Sequence, residues 1–158
     1  MDPFEFRQLC GRFTTGITVI TAPGAEGAPV GMTANSFASV SLDPPLISVA
    51  IELQASAHDA LIGAARFAVN ILESHQEALS RRFASGIPDR FEGVGWHRGM
   101  NEQVVIDGVL AHLICEQWGT LPAGDHTLLI GRVVGGAAAD HGRPLLYYRG
   151  GYADPDLL

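Results

Sequence analysis

Short runs of β-branched and apolar residues outnumber helical repeats along this chain. Asp2 followed by Pro3 is a helix start, and Phe6, Leu9, Cys10 and Phe13 recur at helical spacing, which predicts a short helix ending by Gly16. Ile17-Thr18-Val19-Ile20-Thr21 is β-branched throughout. A Gly/Pro/Ala stretch over 22–29 separates it from Val30-Gly31-Met32-Thr33, the pattern of a β-hairpin. Further strands are predicted over 39–42, 46–51, 67–72, 109–118, 127–137 and 145–148. Short helices are predicted over 58–64 and 76–84, the second capped by Ser74. A loop rich in glycine and aromatic residues is expected over 86–101.

Strands in series with few crossover helices point to an antiparallel barrel rather than a doubly wound parallel sheet. The predicted class is mainly β with short helices. The chain has 158 residues, 47% of them hydrophobic, enough for one core. Without an internal repeat, a low-complexity tract or a linker, residues 1–158 read as a single domain.

A formal charge of −7 argues against general affinity for nucleic acid or an anionic membrane. The start, MDPFEFRQLC, is acidic and broken by Pro3, unlike a signal peptide, and no apolar run approaches a membrane span. Cys10 and Cys115 are the two cysteines, the second inside Leu113-Ile114-Cys115, so a disulfide framework is not expected. The expectation is a soluble, cytoplasmic protein.

The familiar catalytic signatures are absent: no Walker A loop, GxSxG elbow, HExxH or CxxC. Gly93-Val94-Gly95-Trp96-His97-Arg98-Gly99 has the wrong final spacing for a dinucleotide loop and lacks a strand-to-helix setting. The six histidines are far apart and form no ligand pair, so no metal is expected. His58-Asp59, Asp125-His126 and Asp140-His141 supply triad partners by inventory, but adjacency is not triad geometry.

The informative segment is GMTANSFASVSLDPPL, from Gly31 to Leu46, where small hydroxyl and amide residues interrupt two apolar strands. Its residues fit two readings. One is a polar turn between strands. The other is a turn presenting backbone N–H groups and short side-chain donors to an anion or a planar heterocycle, with no bulky side chain in the way.

This segment resembles the flavin-site segment of the flavin reductase-like, FMN-binding split-barrel family, in particular the small reductase components of two-component flavin monooxygenases. The likeness extends through FRQLCGRFTTGITVITA, FAVNIL, GDHTLLIGRV and PLLYYRGGY. It implies an antiparallel split β-barrel with flavin at a homodimer interface. Thr33, Ala34, Asn35 and Ser36 would meet the isoalloxazine and ribityl region, inside a grip running from Gly31 to Ser41 that includes Ser39. The stretch from Ala50 to Ser56 would curl around the phosphate, with Ser56 as donor, although Ser56 also suits a helix cap. Ser85 would touch the flavin edge. Arg90 would reach a phosphate or adenine, its alternative being a solvated loop charge.

The same resemblance places His126, with Asp125 in Gly124-Asp125-His126, beside the nicotinamide, as a residue that orients it rather than abstracts a proton. Tyr147, Tyr148 and Arg149 end the last strand, where an aromatic can lean on the cofactors and an arginine can meet a phosphate. The implied activity is hydride transfer from NADH or NADPH to FMN or FAD, supplying reduced flavin to a separate monooxygenase. Stacking two rings in contact needs no conspicuous acid, base or nucleophile. The competing readings are a non-catalytic flavin carrier on the same barrel and a pyridoxine phosphate-type oxidase. The latter would need a basic phosphate cluster, whereas the ten cationic side chains here are scattered arginines.

Overall fold

The computed structural model describes residues 1–153. Helix α1, Pro3–Cys10, starts as the sequence predicts: Asp2 Oδ1 accepts from the N–H of Phe4 at 2.8 Å and of Glu5 at 2.9 Å. It stops earlier than expected, where Gly11 N–H bonds Arg7 O, which leaves Phe13 outside the helix. No residue of α1 is buried.

The chain continues through β1 (Thr15–Gly16), β2 (Thr18–Pro23), β3 (Pro29–Ala34), β4 (Ala38–Leu42) and β5 (Pro45–Glu52). The turn between β4 and β5 contains a cis Asp43–Pro44 bond. Then come α2 (His58–Gly63), β6 (Arg66–Ile71), α3 (Glu77–Ala84), β7 (Trp96–Arg98) and β8 (Val104–Ile106). The described chain closes with β9 (Ala111–Ala123), β10 (His126–Ala138), β11 (Leu146–Tyr148) and β12 (Gly151–Ala153). No helix among the described residues is long and apolar enough to cross a membrane.

Seven strands form one antiparallel sheet in the order β3-β2-β6-β9-β10-β5-β4. The sheet curls into a split barrel whose interior holds Ile20, Val49, Ile51, Phe67, Val69 and Leu129, all fully buried. Packing here is close enough that a Cβ on Gly131 would lie 2.4 Å from Phe67 Cζ. A second layer, Ile17, Val19, Leu72, Phe83, Ile106 and Leu145, lies outside the barrel. β2 is therefore buried on both faces.

Two expectations need correction. The loop predicted over 86–101 contains β7, which pairs with β8, whose run Val104-Val105-Ile106 is only three residues long. Long-range bonds stabilise this hairpin: Asn70 Oδ1 accepts from Ile106 N–H at 2.9 Å, and Thr21 Oγ1 donates to Val104 O. The Asn70 amide donates in turn to Val19 O and Thr21 Oγ1, so a fully buried polar group is satisfied. Nor is Ser74 the cap before α3. Glu73 accepts from His75 N–H and Gln76 returns a bond to Glu73 N–H, a capping box that starts a 3₁₀ turn leading into α3.

Candidate functional site

The segment Thr33 to Ser36 leaves β3 at the split edge of the barrel. Thr33 Oγ1 donates to Ser80 O of α3 at 2.7 Å, and Thr18 Oγ1 donates to Ala34 O at 2.7 Å. Ala34 faces the barrel interior, while Asn35 is exposed. Ser36 Oγ accepts from Ala50 N–H at 3.0 Å and donates to Ala50 O at 3.1 Å. One hydroxyl thus acts as a strand partner for β5 beyond the reach of β4, whose pairing ends at Ser48. Ser39 sits exposed on β4 opposite Ile47, next to the bulge at Val40.

The stretch from Ala50 to Ser56 connects three predicted groups. Ala50 carries Ser36, and Glu52 lies opposite His126 across β5 and β10. Leu53 N–H bonds Asp125 O at 3.0 Å. Ser56 Oγ accepts from Arg90 Nη2 at 3.0 Å, while Arg90 Nη1 donates to Gly31 O at 3.0 Å. Ser56 makes no helix cap; Ala57 occupies that position in α2 with no side-chain bond. Arg90 is not a solvated loop charge either. It ties β3 to the loop after β5, and its Nε is buried without a partner.

Sequence reasoning missed the residue that delivers Arg90. Arg82, on α3, donates from Nε to Arg90 O at 2.6 Å and from Nη2 to Asp89 O and Glu92 O at 3.2 and 2.7 Å. One guanidinium thus organises an otherwise irregular loop. Its spacing from residues 89–92 carries no local signal, because the bonds depend on the loop's return over the helix end. Phe91 completes the anchorage, packing edge-on against Phe83 with centroids 4.8 Å apart.

The β9–β10 turn presents His126. Gly124, at φ +65°, takes the first central position of a two-residue hairpin, which glycine adopts without steric cost. His126 Nδ1 lies 2.7 Å from Asp125 Oδ1. The hydrogen bond from His126 holds the Asp125 carboxyl below the usual carboxylate range. An Nδ1–H donated to Asp125 leaves Nε2 as the ring's other hydrogen-bonding atom. On the neighbouring position, His58 bridges Thr127 Oγ1 at 2.9 Å and Asp59 Oδ1 at 2.8 Å. That line-up mimics a triad, but Thr127 is buried on the inner side of β10, so the hydroxyl is a strut rather than an accessible nucleophile.

A second group gathers at the β1–β11–β12 sheet. Asn35, Tyr147 and Arg149 share a cleft of about 560 Å³ walled by Phe6 and Phe13. Arg149 has φ +53° and Gly150 φ +80° in the hairpin joining β11 to β12, a left-handed pair unusual for arginine, and Arg149 N–H donates to Gly11 O at 2.8 Å. Ser85 Oγ donates to Arg82 O at 2.7 Å and lines a neighbouring cleft together with Tyr147. Tyr148 is half-buried. The sequence-predicted residues therefore fall into two clusters: one along Ala50 to Ser56 with His126 and Arg90, the other around Tyr147. Asn35 and Ser36, adjacent in the chain, join one to the other.

Comparison with known proteins places these features in context. A model described as "Flavin reductase like domain" matches residues 10–156. A Rhizobium meliloti protein named "Probable flavin reductase" is 42% identical over 157 residues, covering 99% of this chain and 50% of its own. The FMN reductase (NADH) SmoA of Agrobacterium fabrum is 42% identical over 148 residues, 94% of this chain and 83% of its own. This chain thus spans half the length of the first relative and most of the second. The solved structure of the Streptomyces globisporus NADH:FAD oxidoreductase SgcE6, in complex with NAD and FAD fragments, superimposes with a TM-score of 0.91 at 38% identity, covering 98% of this chain and 94% of that one. With the split barrel, the small-residue segment on its seam and a family match over nearly the whole sequence, the chain belongs to the flavin reductase-like domain family.

Proposed function

We propose that the protein is an NAD(P)H-dependent flavin reductase that reduces FMN or FAD and passes the reduced flavin to a separate flavin-dependent monooxygenase. The observation that carries this reading is the span from Ala50 to Ser56, which bonds the Ser36 segment, the Asp125–His126 turn and Arg90. Residues assigned to the flavin and to the nicotinamide are thereby held on one rim. Relatives named as NADH-dependent flavin reductases support the same activity.

The residues fit a flavin. Ala34, Asn35 and Ser36 offer small side chains beside a planar group, and Ser56 with Arg90 offers two convergent donors for its phosphate. The bound flavin supplies hydride-accepting chemistry, and the chain supplies geometry. Ser36 fixes the seam of the barrel, Arg90, tied to Gly31 O, would hold the phosphate end, and Asp125, bonded to His126 Nδ1, would set the ring's orientation toward the donor. Tyr147 and Arg149 border the site from the other cleft, with Ser85 at its edge and Ser39 on the outer strand.

The working form is a homodimer. α1 carries a sequence-encoded apolar repeat yet buries none of it, with Phe6 57% and Leu9 60% exposed, and Phe13 just beyond its end is 77% exposed, although Phe6 and Phe13 wall the cleft holding Asn35 and Tyr147. A second copy would cover them and complete the site. The decisive assay is nicotinamide oxidation followed by absorbance, with and without added FMN or FAD. Flavin-dependent turnover is expected. Flavin binding without turnover would leave only a carrier.

A further inference from the structure

The loop between β5 and α2, residues 53–57, carries the exposed Ser56, and it is tied to the β9–β10 turn on both sides. On one side, Leu53 N–H donates to Asp125 O at 3.0 Å. On the other, the largely buried ring of His58 places Nε2 2.9 Å from Thr127 Oγ1. Asp125 and Thr127 are the two chain neighbours of His126. The loop is thus bonded immediately before and immediately after the histidine proposed to face the nicotinamide.

The two ties differ in kind. The first is a backbone bond that carries on the β5–β10 ladder past its pair of Glu52 with His126, so it depends little on side-chain identity. The second depends on one imidazole. The Asp59 carboxylate only accepts, so the 2.8 Å bond at Nδ1 takes its proton from the ring, and in the neutral tautomer Nε2 accepts from the Thr127 hydroxyl. Thr127 is buried, where a hydroxyl requires a partner. Ala57 and Leu61, on either side of His58, join the barrel core, so α2 is a fixed base from which the ring reaches β10. Between the ties there is little slack: Ala55 N–H bonds Glu52 O at 3.1 Å and His58 N–H bonds Ala55 O at 2.9 Å. His126 itself is held at its side chain by Asp125, which is 88% exposed, and a contact so exposed holds a ring loosely. The backbone on which His126 stands therefore decides where its ring lies.

We propose that His58 is a positioning residue: through Thr127 it fixes the His126 turn against the Ser56 loop, and so sets the nicotinamide side of the site relative to the phosphate side. The inference rests on the flavin reductase reading and extends it. A displaced His126 weakens the hold on the donor, and a displaced Ser56 weakens the hold on the flavin.

The test measures kcat and KM for NADH at saturating FMN, the Kd for FMN by flavin fluorescence, and Tm. The proteins compared are the parent, His58→Ala, His58→Gln, Thr127→Val, His126→Ala and the double variant of the last two. His58→Ala and Thr127→Val are each expected to raise KM for NADH about fivefold and the Kd for FMN about threefold, with kcat changed by less than about twofold. A glutamine amide lies as far from Cα as imidazole Nε2 and both donates and accepts, so His58→Gln should bring both constants to within about twofold of the parent. In the His126→Ala background, Thr127→Val should add less than about twofold to KM, because its effect on the donor runs through His126. A lower Tm with KM and Kd unmoved would make His58 a structural strut and overturn the proposal. So would KM increases that multiply in the double variant. Thr127→Val keeps the side-chain shape and decides the matter alone if His58→Ala does not fold. If the parent protein oxidises no nicotinamide with either flavin, the reductase reading falls and takes this inference with it.

Discussion

β2 and β4 are both short strands with apolar residues at alternate positions or more, and they have opposite fates. β2 lies between β3 and β6 and is buried from Thr18 to Ala22, one face toward the barrel interior and the other toward the layer of Leu72, Phe83 and Leu145. β4 is an edge strand with no buried residue; Val40 is 56% exposed and Leu42 95%. α1 stands with β4, apolar by pattern and unburied. Place in the strand order separates these regions: β2 has a neighbour on each side and β4 only one. Packing within one chain satisfies β2, whereas β4 and α1 retain apolar surface that a partner copy can use.

The sharpest contrast comes from the interior. Phe67→Ala removes a fully buried ring wedged against Gly131 and should cost about 3–5 kcal/mol, read as a lower midpoint in urea unfolding. An outward substitution tests the other side of the comparison. Phe6→Asp with Leu42→Asp should change the stability of the isolated protomer by less than about 0.5 kcal/mol each, yet convert dimer to monomer in light scattering. A monomeric parent protein would break the contrast, since the bare surface would then serve no second copy.

Smaller effects probe the rim between the two regions. His126→Ala is expected to raise KM for NADH about tenfold with the flavin Kd changed by less than about twofold. Equal losses in both titrations would make His126 structural. The smallest effect concerns Glu73, whose carboxylate accepts from the N–H groups of His75 and Arg143, bonds that pull its pKa from 4.5 to about 2. Because the folded-state value is the lower one, its stabilising effect is full above pH 4.5 and is lost as pH falls toward 2. Glu73→Gln should therefore lower Tm at neutral pH, and the gap to the parent should narrow through that window. A gap independent of pH would show that the amide serves as well as the carboxylate.

How much was legible follows the range of each interaction. The Asp2 cap, the β2–β3 hairpin and the α3 segment are written in contiguous residues, and they form where the pattern places them. The β7–β8 hairpin was missed because three-residue strands give too short a period to register, and because Asn70 and Thr21, distant in sequence, hold it. The candidate residues around Thr33 to Ser36, Ser56 and His126 were reachable through motif likeness. Their joining by Ser36 Oγ, Leu53 N–H and Arg90 was not.

Amino-acid order alone determined most of the longer extended segments, the Asp2 cap of α1 and which small polar residues could face a planar ligand, since those preferences act within a few neighbouring residues. The fold decided which strands became interior, that Arg82 would hold the Arg90 loop, and that Ser36 would close the seam on β5. Such bonds join groups from 8 to more than 80 residues apart, between Arg82 and Arg90 at one extreme and Thr21 and Val104 at the other. Only closure of the chain brings those atoms within hydrogen-bonding distance.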